Sequence, residues 1–166
     1  MTVKTNMEWI EVASYEEMSK TAAAIFKAQL KQNKQSVFGM ATGGTPEGFY
    51  KELVASFKAG EISFAEAKSF NLDEYVGIAP ENKVSYHYYM DNHLFNHIDI
   101  KEENVHLPSS LGGDLEKNCK EYSDALNAAV VDMQLLGIGA NGHIGFNEPG
   151  TSFESETLIV TLQEKT

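Results

Sequence analysis

Residues 135–150 read Leu-Leu-Gly-Ile-Gly-Ala-Asn-Gly-His-Ile-Gly-Phe-Asn-Glu-Pro-Gly, a loop of glycines and polar side chains that directly follows an apolar run. That mostly apolar run, from Val130 to Ile138, predicts a buried strand, because an abrupt change from apolar residues to glycines and polar side chains is typical of a strand that ends in a site-bearing loop. The four glycines from Gly137 to Gly145 let the backbone approach a ligand closely. A buried strand that ends in such a loop indicates an α/β fold with a site at the strand end.

Two side chains of this loop are candidates for proton transfer. His143 is of the type that titrates near neutral pH, and a carboxylate such as Glu148 can set the tautomer of an imidazole and raise its basicity. The alternative is a glycine-rich turn with a capping Asn141 and a solvated glutamate. Pro149-Gly150 then turns the chain, and Thr151 and Ser152 supply hydroxyl groups just beyond the turn.

A second strand end carries a glycine turn. Residues 36–41 predict a buried strand, and residues 42–46, Thr-Gly-Gly-Thr-Pro, lead from it into a helix with an apolar stripe. A strand, a glycine turn and a helix in this order present free N–H groups and a positive helix end to an anion. The functional interpretation is a phosphate or carboxylate site, and the alternative is a helix start without a ligand. The turn matches neither the Walker motif nor the dinucleotide motif GxGxxG.

A third strand, predicted over residues 68–72, ends at Asp73 and Glu74. Acidic residues just past the carboxyl end of a parallel strand lie where open α/β sheets bind their ligands. Both carboxylates are therefore candidate site residues, although an exposed acidic turn is the commoner role of such a pair.

The remaining pattern alternates strands and helices. Further strands are predicted at 8–12, 105–107 and 157–162, and helices after Ser14, after Ser85 and over 114–129. The first helix has apolar residues at helical spacing on one face: Met18, Ala22, Ile25, Phe26 and Leu30. The predicted fold is a three-layer Rossmann-like open, mainly parallel sheet with helices on both faces. Residues 1–166 are long enough for one such α/β domain and too short for two.

Composition excludes several classes of function. The net charge of −11 and the absence of arginine argue against binding to nucleic acid or to anionic lipid. No apolar run is long enough to cross a bilayer, and a lone cysteine, Cys119, cannot form an internal disulfide, so we expect a cytoplasmic protein. The spacing of His87, His93 and His97 fits no metal motif, and we expect neither a metal nor another cofactor.

Taken together, three motifs resemble the glucosamine-6-phosphate deaminase family. They are residues 41–46 (Ala-Thr-Gly-Gly-Thr-Pro), 70–77 (Phe-Asn-Leu-Asp-Glu-Tyr-Val-Gly) and 136–150 around Asn-Gly-His. Residues 85–86 and 94–100 extend the resemblance. It implies a Rossmann-like fold and conversion of glucosamine 6-phosphate and water to fructose 6-phosphate and ammonia, a hydrolase and isomerase reaction of amino sugar metabolism without metal or redox cofactor.

The resemblance also implies roles for individual residues. Asp73 is the base that moves the proton from C2 to C1, His143 opens the sugar ring, and Glu148 is the carboxylate partner of that histidine. Asn141, at a position that is Asp in some members, orients His143 by hydrogen bonding, because an amide cannot relay a proton. The resemblance and the strand-end pattern together assign the binding of the sugar phosphate to Thr42, Gly43, Gly44, Thr45, Glu74, Gly139, Gly142, Thr151 and Ser152.

Two departures from the family leave an alternative open. Residues 155–158 read Ser-Glu-Thr-Leu where relatives commonly carry Arg, Thr or His, and the family's chains continue past this point with a phosphate-binding lysine. The chain then resembles the N-terminal portion of the catalytic domain. The alternatives are a catalytically inactive sugar-phosphate-binding fragment and a related sugar-phosphate isomerase or 6-phosphogluconolactonase-like enzyme. An incomplete sheet with an open edge favours self-association into a homo-oligomer.

Overall fold

The structure is a computed structural model that describes residues 7–162. Within that range four strands form one sheet, in which every neighbouring pair is parallel and the order is β3-β2-β1-β4. The strands are β1 (Val37–Met40), β2 (Lys68–Asn71), β3 (Val105–His106) and β4 (Met133–Gln134). The strands predicted at 36–41, 68–72 and 105–107 are confirmed.

Four α-helices of the described range alternate with these strands: α1 (Tyr15–Gln32), α2 (Glu47–Lys58), α3 (Tyr86–His93) and α4 (Leu115–Asn127). Short 3₁₀ segments cover Phe95–His97 and Glu102–Asn104. The predicted starts are confirmed, because Ser14, Ser85 and Asp114 each accept hydrogen bonds from first-turn N–H groups. No helix within residues 7–162 is long and apolar enough to cross a membrane.

The helices lie on both faces of the sheet. One face packs against α1 to α3, where Phe26 of α1 stacks on Phe38 of β1 with ring centroids 5.2 Å apart. On the opposite face Phe70 of β2 contacts His106 of β3 and Tyr122 of α4. The predicted three-layer, parallel α/β fold is confirmed.

Two predicted strands are wrong. Residues 8–12 and 157–162 belong to no strand and pair with no strand of the described chain. Trp9 is 83% exposed. Residues 8–12 therefore alternate in polarity, but no sheet face covers this tryptophan. An alternating pattern fits a strand only where a neighbouring edge supplies hydrogen bonds.

The apolar run from Val130 to Ile138 is also not the buried strand that was predicted. Only Met133 and Gln134 pair with β1, and Ile138 is 78% exposed. Because β4 is the outer strand of the sheet, its second edge has no strand partner within residues 7–162. The run therefore has the composition of a central strand but lies at an edge.

The inward face of α1 is rotated slightly from the predicted one. Phe26 and Leu30 are buried and Ala22 packs against the core, as predicted. Ile25, however, is 44% exposed, and Ser19 and Ala23 are buried. Ser19 can lie close to α2 because the residue of α2 at this contact is Gly48, which has no side chain. A Cβ on Gly48 would lie only 2.3 Å from Oγ of Ser19.

We expect Gly48→Ala to lower the free energy of unfolding by about 1–2 kcal/mol, since overpacking of a tight contact costs about 1–3 kcal/mol and helix propensity returns part of it. Urea unfolding followed by circular dichroism measures the change. The matched control is Gly44→Ala, because a Cβ there meets no atom within 4 Å and the substitution should stay within about 0.5 kcal/mol of the parent. Equal stability of the two variants would contradict the packing argument.

Candidate active site

Three loops meet at the carboxyl ends of β1, β2 and β4, and they line a cavity of about 330 Å³. Thr42 comes from the loop after β1, Asp73 from the loop after β2, and Gly139 and His143 from the loop after β4. The structure thus brings four predicted site residues to one cavity, as expected for the strand ends of a parallel sheet. No lysine is among the described residues that line it.

Asp73 is a mostly buried carboxylate at this cavity. Burial raises the pKa of its carboxyl from 3.8 to about 6, and the negative charge of neighbouring Glu74 acts in the same direction. Gly145 allows the opposing loop to come close, since a Cβ at that residue would lie 3.5 Å from Oδ2 of Asp73, and its φ of 58° favours glycine. A carboxylate with a raised pKa is a stronger base than a solvated one, which suits proton abstraction.

The loop that carries His143 is held by its own backbone and by one amide side chain. The N–H of Gly139 donates to the carbonyl of His143 at 2.8 Å. Asn141 accepts from the backbone N–H of His143 at 3.1 Å and donates from Nδ2 to the Glu148 carboxylate at 2.6 Å. Asn141 therefore connects the histidine to the glutamate, and the loop has a fixed shape.

This arrangement differs in detail from the predicted one. Asn141 was expected to orient His143 by hydrogen bonding, and its observed bond goes to the backbone of that residue rather than to the ring. The buried ring atom Nδ1 has no hydrogen-bond partner within the described chain. The direct bond from Glu148 to His143 Nδ1 that would set its tautomer is therefore absent in residues 7–162.

The imidazole of His143 lies against Gly139. A Cβ on Gly139 would lie 2.2 Å from Cε1 of the ring, so only glycine leaves room for the ring in this position. The glycine spacing of the loop thus has a specific purpose at this residue, which is the close approach of a ring to the backbone.

We expect Gly139→Ala to displace the His143 ring, because the added methyl group would occupy the position of the imidazole. The Hε1 and Cε1 NMR signals of His143 should shift strongly relative to the parent. Gly137→Ala is the matched control from the same loop, since a Cβ there meets no atom within 4 Å. Unchanged His143 signals in the Gly139 variant would show that the ring does not lie on the glycine.

Comparison with known proteins gives the family. The sequence profile of a family described as glucosamine-6-phosphate isomerases/6-phosphogluconolactonase matches residues 11–164. The chain belongs to this family. It is 52% identical to the glucosamine-6-phosphate deaminase of Thermoanaerobacter sp. strain X514, with 96% of this chain and 64% of that relative aligned. The corresponding protein of Lysinibacillus sphaericus strain C3-41 is 54% identical, with 96% of this chain and 68% of that relative aligned.

Solved structures of the same family agree with this assignment. A monomeric glucosamine-6-phosphate deaminase superposes with a TM-score of 0.93 at 45% identity, covering 96% of this chain and 66% of that one. A 6-phosphogluconolactonase from Thermotoga maritima superposes with a TM-score of 0.69 at 21% identity, covering 83% and 62%. Likeness at that identity shows the fold alone. The chain thus spans about two thirds of the length of the relatives it matches.

Glu74, a predicted substrate ligand of this family member, has another partner in the structure. Its carboxylate accepts from the hydroxyl of Ser85 at 2.8 Å and from the backbone N–H groups of Tyr75, Tyr86 and His87 at 2.8–3.0 Å. Three of these donors, from Ser85, Tyr86 and His87, lie at the start of α3, where a negative charge is favourable. Glu74 therefore stabilises the start of this helix, and its contact with the substrate stays a prediction.

The turn at 42–45 is fixed by tyrosines from two helices. Tyr89 of α3 donates to the carbonyl of Gly43 at 2.6 Å. Tyr15 of α1 donates to the carbonyl of Gly44 at 3.2 Å and accepts from the N–H of Gly48 at 2.8 Å. One N–H group at the start of α2, a region predicted to bind an anion, is therefore bonded to a hydroxyl. Thr42 lines the cavity, and Gly43, Gly44 and Thr45 are exposed beside it.

Other predicted ligands are away from the cavity lining. The backbone N–H of Thr151 donates to Glu148 at 3.0 Å, and the hydroxyl of Ser152 accepts from the N–H of Glu154 at 3.2 Å. Gly142 shapes the loop through a φ of 89°. The described residues that line the cavity include none of these three.

Three aromatic residues that were not predicted for the site line the cavity: Tyr75, Tyr86 and Phe146. Their position in the sequence is a possible signal, since each lies in or beside one of the quoted motifs. Aromatic side chains at helical or strand spacing are usually part of the core, so the pattern alone does not indicate a site.

Metal binding has no support in the described residues. Within 7–162, no group of three or more His, Cys, Asp or Glu side chains is arranged to hold a metal ion. The histidines have local partners instead: His87 lies 3.4 Å from the carboxylate of Asp91, and His97 contacts the carbonyl of Asn92 at 2.8 Å.

Proposed function

We propose that this chain provides the catalytic part of a glucosamine-6-phosphate deaminase, which converts glucosamine 6-phosphate and water to fructose 6-phosphate and ammonia. The observation that carries the proposal is the shared cavity, which Asp73 and His143 both line. Its volume of about 330 Å³ is at the lower end of the range for small-molecule sites. The names of the relatives at 52% and 54% identity support the same reaction.

The first step is opening of the pyranose ring. A base takes the proton from the anomeric hydroxyl while an acid gives one to the ring oxygen, so that the bond between C1 and the ring oxygen breaks and an aldehyde forms. His143 carries out both transfers, since an imidazole can accept and release a proton near neutral pH. Asn141 and Glu148 keep the loop in place through the bonds described above.

The second step is isomerisation of the open-chain sugar. Asp73 removes the proton from C2 while O1 of the aldehyde gains a proton from the ammonium nitrogen, so that the C1–C2 enolamine forms. Asp73 then returns its proton to C1, which leaves an iminium group at C2. Water then adds to C2 and ammonia leaves, which gives the ketose. The raised pKa of Asp73 suits this step because the carboxylate is ionised at neutral pH and is still basic enough to take the proton.

The phosphate of the substrate needs its own group of hydrogen-bond donors. We assign it to the turn from Thr42 to Thr45 and, as in the family, to the hydroxyls of Thr151 and Ser152. Backbone N–H groups and hydroxyls then hold it, because the cavity lining has no lysine within the described range.

Further parts of the proposal concern the whole protein. Residues 1–166 act as a single α/β unit that corresponds to the N-terminal portion of the family's catalytic domain, in the cytoplasm, with a sugar phosphate as partner. Nucleic acid is not a partner, because the net charge of −11 opposes it. Self-association through the open edge of β4 is part of the same proposal.

The deciding experiment is release of ammonia from glucosamine 6-phosphate. It is measured for the 166-residue chain and for the same chain extended by the remaining part of the Lysinibacillus relative, with the full-length relative as positive control. Release by either form supports the function. If neither form releases ammonia while the relative does, the chain is a catalytically inactive fragment that binds sugar phosphate or has only a structural role.

The pH dependence of kcat/KM follows from the state of Asp73. A general base must be ionised, and the pKa of this carboxyl is about 6, so activity should rise about tenfold per pH unit below 6 and level off above it. The profile is measured between pH 4.5 and 8 in the form that releases ammonia. A plateau that extends down to pH 4.5 would contradict Asp73 as the base.

A further inference from the structure

Tyr75, Tyr86 and Phe146 form a cluster of aromatic rings on one side of the cavity, here called the aromatic wall. The ring centroids are 4.9 Å apart for Tyr75 and Tyr86, 5.4 Å for Tyr75 and Phe146, and 5.9 Å for Tyr86 and Phe146. The hydroxyls of the two tyrosines lie 3.3 Å apart. Aromatic pairs at such distances stabilise one another beyond the area they bury.

The wall joins three segments that are separate in the sequence. Tyr75 follows Asp73 by two residues, Tyr86 is the first residue of α3, and Phe146 belongs to the loop that carries His143. Tyr86 also interacts with the Thr42 side chain and with the charge of Asp73. One ring therefore touches the turn after β1, faces the carboxylate after β2 and packs against the loop after β4.

The Tyr86 phenol in the wall stays uncharged. Burial raises the pKa of this phenol well above its usual range, with contributions from Tyr75 and from the charge of Asp73. Three other titratable groups at Asp73 are Glu74, whose charge raises the pKa of Asp73, and Tyr75 and His143 of the shared cavity. A fourth is Tyr122 of α4, whose pKa is raised by burial and then by the charge of Asp73. None of these groups is a lysine, so burial against neutral rings dominates the surroundings of the carboxylate.

We propose that Tyr86 is a positioning residue, whose ring holds the His143 loop over Asp73 through Phe146 and keeps water from that side of the carboxylate. The inference rests on the proposed function for its consequence in catalysis. Its physical content, the shielding of Asp73 by the wall, is independent of any reaction.

The test is an NMR titration of the Asp73 side-chain carboxyl in the 166-residue chain and its variants. Tyr86→Ala should lower the pKa of Asp73 from about 6 to below 5, because water then reaches the carboxylate. Tyr86→Phe keeps the ring and should leave that pKa near 6. Tyr88→Ala on the same helix is the matched control, since Tyr88 is not among the described residues that line the cavity.

A second variant keeps the proposal testable if Tyr86→Ala does not fold. Phe146→Ala removes the wall from the loop side, outside every helix and strand, and should lower the pKa of Asp73 in the same direction. Circular dichroism verifies the fold of each variant. The pKa of Asp73 is compared in those of the Tyr86→Ala and Phe146→Ala variants that fold. A pKa that stays near 6 in a folded variant would overturn the proposal. An equal fall of this pKa in the Tyr88→Ala control would also overturn it.

Activity separates this inference from the function. In a form that releases ammonia, Tyr86→Ala should lower kcat at least tenfold with a smaller change in KM, and the acid limb of its pH profile should move with the pKa of Asp73. If no form releases ammonia, the proposed function fails while the titration still decides the role of the wall. If ammonia is released but the titration is unchanged, the wall proposal alone fails.

Discussion

Asp73→Asn should abolish exchange of the C2 proton of glucosamine 6-phosphate with solvent, with a loss of about 10³-fold or more in ammonia release. An amide has nearly the shape of the carboxylate but cannot accept the proton, so binding of the sugar phosphate should change only a few-fold. Loss of the C2 proton signal in D₂O measures the exchange, and calorimetry measures the binding. Asp124→Asn is the control, because that carboxylate lies on the outside of α4 in an ion pair with Lys120.

The same substitution has a second expected effect, on stability. The folded pKa of Asp73 is about 6 and its ordinary value is 3.8, so the folded state binds the proton more tightly than the unfolded state. Asp73 therefore lowers the free energy of unfolding as the pH rises from about 4 to about 6, by up to about 3 kcal/mol once the pH is above that range. Asn carries no charge, so the variant should be more stable than the parent at pH 7 and equally stable at pH 4. Unchanged exchange of the C2 proton would refute the role of Asp73 as the base. Unchanged stability would refute the burial of the Asp73 charge.

His143→Gln should slow ring opening by about 10²–10³-fold, because an amide can donate and accept hydrogen bonds but does not transfer protons near neutral pH. The glutamine side chain retains much of the volume, so the loop should keep its shape. The measurement is the single-turnover rate of C2 exchange starting from the cyclic sugar, which must open before the proton at C2 can leave.

The control for this prediction is His97→Gln, a substitution of an exposed histidine that contacts the Asn92 carbonyl outside the candidate site. It should leave the rate unchanged. A His143 variant that reacts with the cyclic sugar at the parent rate would remove this residue from the mechanism and leave Asp73 as the only titratable group with an assigned step.

The position of Asp73 and His143 at one cavity was predictable from the sequence. Each residue follows a predicted strand, and parallel strands that alternate with helices bring such strand ends to one edge of the sheet. Thr42 reaches the same cavity for the same reason. The prediction needed only the order of the elements and not the packing of any side chain.

The partners of the site residues could not be predicted in the same way. Glu74 stands next to Asp73 in sequence, yet its carboxylate points to the N–H groups of α3, a helix that begins only at Tyr86. Asn141 bonds to the backbone of His143 and not to its ring. Such choices depend on where free donors lie after folding, and the spacing of residues along the chain does not contain that information.

Strand boundaries failed for a related reason. The run from Val130 to Ile138 has the composition of a central strand, but pairing depends on neighbours, and in the described chain only β1 is beside it. The rotated face of α1 has a local cause, because the missing side chain of Gly48 leaves room for Ser19, which was not among the predicted inward residues. Both errors show that burial is decided by the opposing surface as much as by the segment itself.

The outer edge of β4 has a consequence for the behaviour of the chain in solution. Within residues 7–162 the second edge of β4 has no strand partner, so it can pair with another extended segment, while eleven excess negative charges oppose the approach of two copies. Dissolved ions weaken the second effect far more than the first, because they screen charges over about 10 Å at 0.1 M and leave short hydrogen bonds intact. Storage buffers of low ionic strength should therefore keep the polypeptide dispersed, and concentrated salt should favour its assembly.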